Sequence, residues 1–428
     1  MNPAIAALDA IEILDSRGNP TIRVWLRLTN GIETCADVPS GASTGAFEAV
    51  ELRDEDDGRF GGKGVRRAIE NIQRTMRPAL LGHDPTMQAD IDRLLIELDG
   101  TENKANLGAN AIVGVSMAIA SAGARVLGLP LYRYLGGAEA RRLPVPMMNI
   151  INGGRHAANR VEFQEFMIVP HGAPNFAEAL RYGTETFQCL KSILHSRGLS
   201  TAVGDEGGFA PDLENNEQAC ELIFRAICDA GYEPGAQVAI ALDPAASSFH
   251  KNGRYAVPTW GARPRTSEEL VDLYAEWVAR FPIVSIEDGL AENDWDGFHL
   301  LTTRLGAQIQ IVGDDIYVTN TKFLRKGIAK RTSNAALIKL NQIGTVTETI
   351  EAIDLCRDAG WRYVISHRSG ETPDAFIADF AVAMGGCQIK AGAPCRGERI
   401  AKYNRLLEIE HQLGTVATFS DPFGANNR

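Results

Sequence analysis

Six polar side chains end or interrupt apolar runs in the second half of the chain, and their types are those of acid–base and cation chemistry. They are Asp243 in QVAIALD, Glu287 in PIVSIED, Asp314 in IQIVGDD, Lys339 in AALIKLN, His367 in YVISHRSG and Lys390 in CQIKAG. From Glu287 onward the steps between them are 27, 25, 28 and 23 residues. A strand, a helix and two short loops need about that length, so each run reads as a buried parallel strand ending in a polar residue. When many such units close into a barrel, the carboxyl ends of the strands form the active face. Three carboxylates converging there repel one another unless a cation lies between them. All-oxygen ligands without His or Cys suit a hard ion such as Mg²⁺. Asp243, Glu287 and Asp314 are the candidate ligands, and spacing alone does not separate them from the neighbours Asp288 and Asp315. A lysine inside an apolar strand needs a partner or must give up its charge, so Lys339 is expected to point into the same mouth.

Other stretches carry further chemistry. In STAVGDEGGFAP, glycines 204, 207 and 208 hold Asp205 and Glu206 on a tight turn. Glu165 lies between Phe163, Phe166 and Met167, and a partly desolvated glutamate has a raised pKa and can donate a proton. SHRSGE supplies His367, Arg368 and Ser369, a bidentate cation and a hydroxyl suited to phosphate. In VPSGASTGAFEAVELRD, Ser40, Ser43 and Thr44 lie around Gly41 and Gly45, a composition that lets a loop close over a site and offer oxygen to a cation. This is not a Walker loop, since the nearest lysine, in GRFGGKGV, lacks the glycine spacing and the following Ser or Thr. No zinc-protease motif and no glycine fingerprint opening a βαβ unit occurs.

The elements that must position these groups follow from periodicity. Between the strand-like runs lie amphipathic helical stretches such as SEELVDLYAEWVARF and VTETIEAIDLCRDAG, which predicts an α/β, TIM-like barrel over residues 143–428. Upstream, TIRVWLRL puts Ile22, Val24, Leu26 and Leu28 on one face with Arg23, Trp25 and Arg27 opposite, and an Asn-Gly turn follows. A β-meander followed by helices from Val65 to about Leu135 makes residues 1–135 an α+β domain, with LGGAEARR as the linker.

Composition sets the outer limits. The chain has 428 residues, 45% apolar and 23% charged, as expected of a globular protein of more than one ordinary domain. A net charge of −11 argues against general nucleic-acid binding. Seven cysteines without a C-x-x-C pair fit reduced thiols in the cytosol. The first twenty residues carry acids where a signal peptide needs a basic start. AIVGVSMAIASAGARVLGLPL, rich in Ala, Gly and Ser and interrupted by Arg125, reads as a close-packed helix rather than a membrane span.

Taken together, DSRGNPT, PSGASTG, KANLGANAI, LPVPMMNIINGG, QEFMIVP, GLSTAVGDEGGFAP, SIEDGLAE, NQIGT, SHRSGET and QIKAGAP resemble the enolase family, in family order over nearly the whole chain. The resemblance implies an enolase-type TIM-like barrel under an N-terminal capping domain. It also implies a lyase that reversibly dehydrates 2-phosphoglycerate to phosphoenolpyruvate in glycolysis and gluconeogenesis. Lys339 matches the general base and Glu206 the general acid, with Glu165 and His156 completing the catalytic group. Gln164, His367, Arg368, Ser369 and Lys390 match substrate contacts, Lys390 on the carboxylate, Arg368 and Ser369 on the phosphate. Two Mg²⁺ are implied, one on Asp243, Glu287 and Asp314 at the substrate carboxylate, the other bridging carboxylate and phosphate with Ser43 as its protein ligand. Two dications and Lys390 beside Lys339 disfavour its charged form, so a neutral amine is expected there. A cytoplasmic homo-oligomer, dimer or octamer, completes the expectation.

The chain departs from the family pattern at Ala158, Ser248, His250, Pro373, Ala375 and Ala391, and in the tail after Gly414. These departures motivate a competing reading, a paralogue performing the same elimination on a related acid such as a phosphonate analogue. A non-catalytic surface-binding protein is the alternative of another class. The intact acids and Lys339 weigh against it.

Overall fold

Alternation of apolar and polar residues builds the first layer. The computed structural model describes residues 3–41, 45–157, 159–261, 263–386 and 388–424. β1 (Ile5–Leu14), β2 (Pro20–Leu28) and β3 (Glu33–Asp37) pair antiparallel in that order, the expected meander. Ile22, Val24, Leu26 and Leu28 are buried, while Trp25 and Arg27 face outward. Gly31, at φ 86, donates its N–H to Leu28 O at 2.9 Å in the turn between β2 and β3, a backbone conformation that favours glycine.

Against this sheet packs α1 (Ala109–Val126), long and apolar enough to be weighed as a membrane span but 83% buried inside the protein. Its small residues let the sheet approach closely. A Cβ on Gly114 would lie 2.8 Å from both Val24 and Val38.

The barrel follows. Its strands are β4 (Val145–Asn152), β5 (Glu165–Val169), β6 (Ala239–Asp243), β7 (Ile283–Glu287), β8 (Gln310–Gly313), β9 (Ala335–Ile338), β10 (Arg362–Ser366) and β11 (Gln388–Lys390). They neighbour one another in chain order, and β11 closes onto β4.

One strand departs from the expected parallel sheet: β5 runs antiparallel to both β4 and β6. The cause is the connection. Residues 153–164 join β4 to β5 with no helix beyond a single 3₁₀ turn at Gly154–His156, and a parallel return is usually made by a helix that runs back along the sheet. The chain therefore turns back down. Two helices, α2 (Phe176–Ser196) and α3 (Asn216–Asp229), carry it up and down again before β6.

Pleating divides the barrel residues into two cores. Val145, Met147, Met167, Val169, Ala239, Ala241, Val312, Ala335, Leu337 and Val364 fill the interior. The alternate positions, among them Phe166, Ile240, Ile286, Ile311, Ile338 and Ile365, pack outward with the helices. A reciprocal pair, Gln310 and Gln388, joined by bonds of 2.7 and 3.0 Å, satisfies the buried polar atoms of the inner layer. After α4 (Gly397–Leu413), the tail lays Phe419 and Phe423 against the interior core at the opposite end from the mouth, where His171 Nδ1 lies 3.0 Å from Asp421 Oδ1.

Candidate active site

Parity places the site. Counting in twos from the interior residues, the next inward positions toward the mouth are Asn149, Asp243, Asp314, Lys339 and Ser366, with Glu287 two beyond buried Ser285 and Lys390 two beyond Gln388. Parity also separates the neighbours that spacing left open. Glu287 and Asp314 are inward, whereas Asp288 serves the backbone: its Oδ1 and Oδ2 accept the N–H groups of Asp314 and Asp315 at 2.8 and 2.9 Å. Asp288 holds φ 41 to do so, a conformation uncommon outside glycine. Because β5 is reversed, its first residue rather than its last reaches the mouth, and Glu165 stands in register with Asp243 on β6 and Asn152 on β4.

His156, Gln164, Glu165, Glu206, Asp243, Asp314, Lys339, His367, Arg368, Ser369 and Lys390 line one open cleft. Glu287 lies immediately beneath it, and Ser43 lies outside the described residues. Lys390 Nζ is shared among Glu287 Oε1 at 2.9 Å, Asp243 Oδ2 at 3.1 Å and Glu165 Oε2 at 3.1 Å. Lys339 Nζ donates to Asp314 Oδ2 at 2.5 Å, and Gln342 Nε2 donates to Asp314 Oδ1 at 2.9 Å.

Acidic groups outnumber cationic ones here, and the electrostatics record it. Burial, then Asp243, push Glu287 well above the usual carboxylate range. Burial and Asp314 push Asp315 up to about 8. Asp314 goes the other way: burial would raise it, but Lys339 holds it down. Among the described residues, Asp288, Asp314 and Asp315 bring oxygen atoms within 4.8 Å of one another, as His156, Glu165 and Glu206 do for their ligand atoms. Asp243 and Glu287 meet through Lys390 instead. An oxygen-rich donor set with unrelieved negative charge fits a hard divalent cation.

Lys339 does not meet the expectation of a neutral amine with only the protein's own charges around it. Burial is the largest single influence and lowers its pKa, but the surrounding acids, Asp314 first and then Glu287, raise it, and the net direction is upward.

A second group of residues handles protons. Glu206 sits on the loop between α2 and α3, where Gly207 takes φ 88 and a Cβ on Gly208 would crowd Asn149 O at 3.0 Å. Asn149 Nδ2 donates to Glu206 Oε2 at 3.1 Å, and His156 Nδ1 is 3.9 Å from both Glu165 Oε1 and Glu206 Oε1. His367 Nε2 lies 3.5 Å from Glu206 Oε2. Burial and then Glu206 raise Glu165 well above the usual range, whereas for Glu206 burial is outweighed by His367 and His156 and the pKa falls. Buried Gln164 Nε2 has no hydrogen-bond partner among the described residues and faces the cleft.

Arg368 is bidentate to Glu48, with Nη1–Oε2 at 2.9 Å and Nη2–Oε1 at 3.1 Å, and Nη1 also donates to Asn341 Oδ1 at 3.0 Å. Gly41 passes so close that a Cβ there would lie 2.1 Å from Arg368 Nη2.

Sequence reasoning missed Glu48, Gln342, Asn149 and Arg399. Asn149 was findable by parity along β4; Glu48 and Gln342 reach the site only through tertiary approach. The described departing residues stay off the cleft lining: Ser248 and Pro373 are exposed, His250 packs on Tyr255 and Ala391 is buried. Ala158 lies outside the described residues.

Comparison with known proteins agrees with this geometry. The family model described as the N-terminal domain of enolase matches residues 5–135, and that of the enolase C-terminal TIM barrel domain matches residues 140–426. Enolase 1 of Methylococcus capsulatus is 63% identical over 419 residues, 98% of this chain and all of that protein. The enolase of Desulfotalea psychrophila is 59% identical over 421 residues, again 98% of this chain and all of that protein. With both family models matched and these identities held from end to end, the chain belongs to the enolase family.

Proposed function

We propose that this protein dehydrates 2-phosphoglycerate to phosphoenolpyruvate, with Lys339 as base and Glu206 as acid. The observation that carries the assignment is the division of one cleft between Lys339 beside Asp314 and, across it, the Glu165–Glu206 pair. Lys339 removes the proton next to the substrate carboxylate. The departing hydroxyl takes a proton from Glu206, drawn from the one proton that the Glu165–Glu206 pair shares, with His156 beside both. Lys390 and Gln164 bind the carboxylate, and Arg368, Ser369 and His367 hold the phosphate end.

Asp243, Glu287 and Asp314 would hold one Mg²⁺ and Ser43 would contribute to a second; ions there would supply positive charge against the negative charge that builds on the substrate carboxylate. A cation held by Asp314 would weaken the attraction that keeps Lys339 charged and so favour its role as base. Residues 1–135 form the cap and 143–428 the catalytic domain. Unpaired Cys35, Cys189, Cys220, Cys228, Cys356 and Cys395 support a reducing, cytoplasmic setting. Exposed Ile11, Leu14 and Trp25 on the cap sheet support a homo-oligomer.

The test is turnover of 2-phosphoglycerate, followed as phosphoenolpyruvate formation with Mg²⁺ and with excess chelator. A folded, Mg²⁺-binding protein inert toward 2-phosphoglycerate would transfer the assignment to a related acid.

A further inference from the structure

Arg396, at the N-cap of α4, and Arg399 and Lys402, in its first two turns, follow one another at intervals of three. Cations near a helix N-terminus oppose the dipole, so the helix itself gains nothing from them. All three reach instead into the loops of the mouth. Arg396 Nη1 donates to Gly204 O at 3.3 Å and Nη2 to Ser16 O at 2.8 Å. Lys402 Nζ donates to Glu371 Oε2 and Thr372 O, each at 2.6 Å.

Arg399 does the most and is 0% exposed. Its Nη1 bonds His367 Nδ1 and Arg368 O, both at 2.6 Å, and its Nη2 bonds Ser369 O at 2.6 Å and Asp205 O at 3.0 Å. The third edge of the guanidinium, Nε, lies 3.4 Å from Glu398 Oε1. Gly392 makes room for the stem, since a Cβ there would lie 2.9 Å from Arg399 Cδ. One side chain therefore joins the loop of Glu206 to the arm of His367, Arg368 and Ser369.

The bond to His367 has a further consequence. A guanidinium has five donors, no acceptor and does not deprotonate in proteins. Nδ1 must therefore be a bare acceptor, which excludes the imidazolium and leaves the ring proton on Nε2, the nitrogen 3.5 Å from Glu206 Oε2. Burial, with Arg399 adding to it, lowers the His367 pKa to about 4, in agreement.

We propose that Arg399 is a positioning residue of the elimination. It fixes neutral His367 with its proton on Nε2, facing Glu206, and it clamps the acid loop and the phosphate-holding arm as one unit. This role rests on the proposed reaction.

The test begins with ¹⁵N NMR of histidine-labelled wild-type protein, with His367 identified by difference against His367→Gln. A neutral Nε2–H ring at pH 7 is expected; an Nδ1–H ring or an imidazolium overturns the proposal whether or not any Arg399 variant folds. Arg399→Lys keeps the charge but not the fork. It should mix the His367 tautomers and lower kcat about 10²-fold with little change in KM, the size of a misplacement of catalytic groups by about 1 Å. A folded Arg399→Lys with wild-type kcat and an unmixed Nε2–H ring overturns the role of Arg399 alone. Absence of wild-type turnover on 2-phosphoglycerate overturns the functional reading and this role with it.

Discussion

Lys339 Nζ lies 2.5 Å from Asp314 Oδ2, so the proposed base and a proposed metal ligand are one ion pair. A cation drawing on Asp314 would weaken the attraction that keeps Lys339 charged, which would couple metal binding to base strength. Asp314→Asn should raise the Mg²⁺ concentration for half-maximal activity at least about tenfold. Thermal unfolding should change little, because Asn still accepts from Gln342. Mg²⁺ titration of both proteins checks it, and full turnover of wild type in excess chelator would remove the metal assignment.

The two proton transfers should separate by mutation. Lys339→Ala is expected to abolish both exchange of the substrate α-proton with D₂O and product formation. Glu206→Gln should retain exchange while dehydration drops about 10²- to 10⁴-fold. NMR of 2-phosphoglycerate in D₂O with saturating Mg²⁺ reads both. Exchange at the wild-type rate by Lys339→Ala would mean that the base is another group.

His367 gives a pH dependence with a definite sign. Its pKa is about 4 in the fold, against an ordinary value of 6.5. Between those values the unfolded chain binds a proton that the native ring refuses, so stability falls as pH drops through that window and is fully present above it. The loss amounts to about 3 kcal/mol at most. Comparing the fall in Tm from pH 7 to pH 5 in wild type and His367→Gln isolates it; an equal fall in both would contradict the assignment.

Gly41→Ala tests the approach to Arg368. The added Cβ would fall 2.1 Å from Nη2, so the guanidinium must move away from Glu48 and from any phosphate it holds. A rise of about tenfold or more in KM for the phosphorylated substrate is expected, on the scale of losing a charge-assisted hydrogen bond. An unchanged KM would mean that Arg368 does not carry the phosphate.

The barrel was legible because its strands are buried on both faces and end in polar residues at nearly even steps. The placement of Asp243, Glu287, Asp314 and Lys339 at the mouth was legible for the same reason, each being the last inward residue of its strand or two beyond it. The reversal of β5 was not, since a five-residue apolar strand reads the same in either direction; the short 153–164 connection was the one local clue. Arg399 was hidden because a charged residue on a helix ordinarily signals a solvated face, and only the packed structure sets it at 0% exposed. The charge state of Lys339 depended on a partner 25 residues away in sequence.

The reversed strand also changes how the site is attached to its frame. No strand leads directly into or out of the loop that carries Glu206; its covalent tether runs through the 21 residues of α2 and the 14 of α3. That loop is docked onto the barrel as a ligand would be, through Asn149, Arg396, Arg399 and the bridge between Ile151 and Phe209. Its docking has an equilibrium of its own, separate from unfolding of the barrel. The half of the cleft that carries Glu206 can therefore loosen while the half that carries Lys339 and Lys390 stays intact, and native-state hydrogen exchange would find the two halves in different cooperative units.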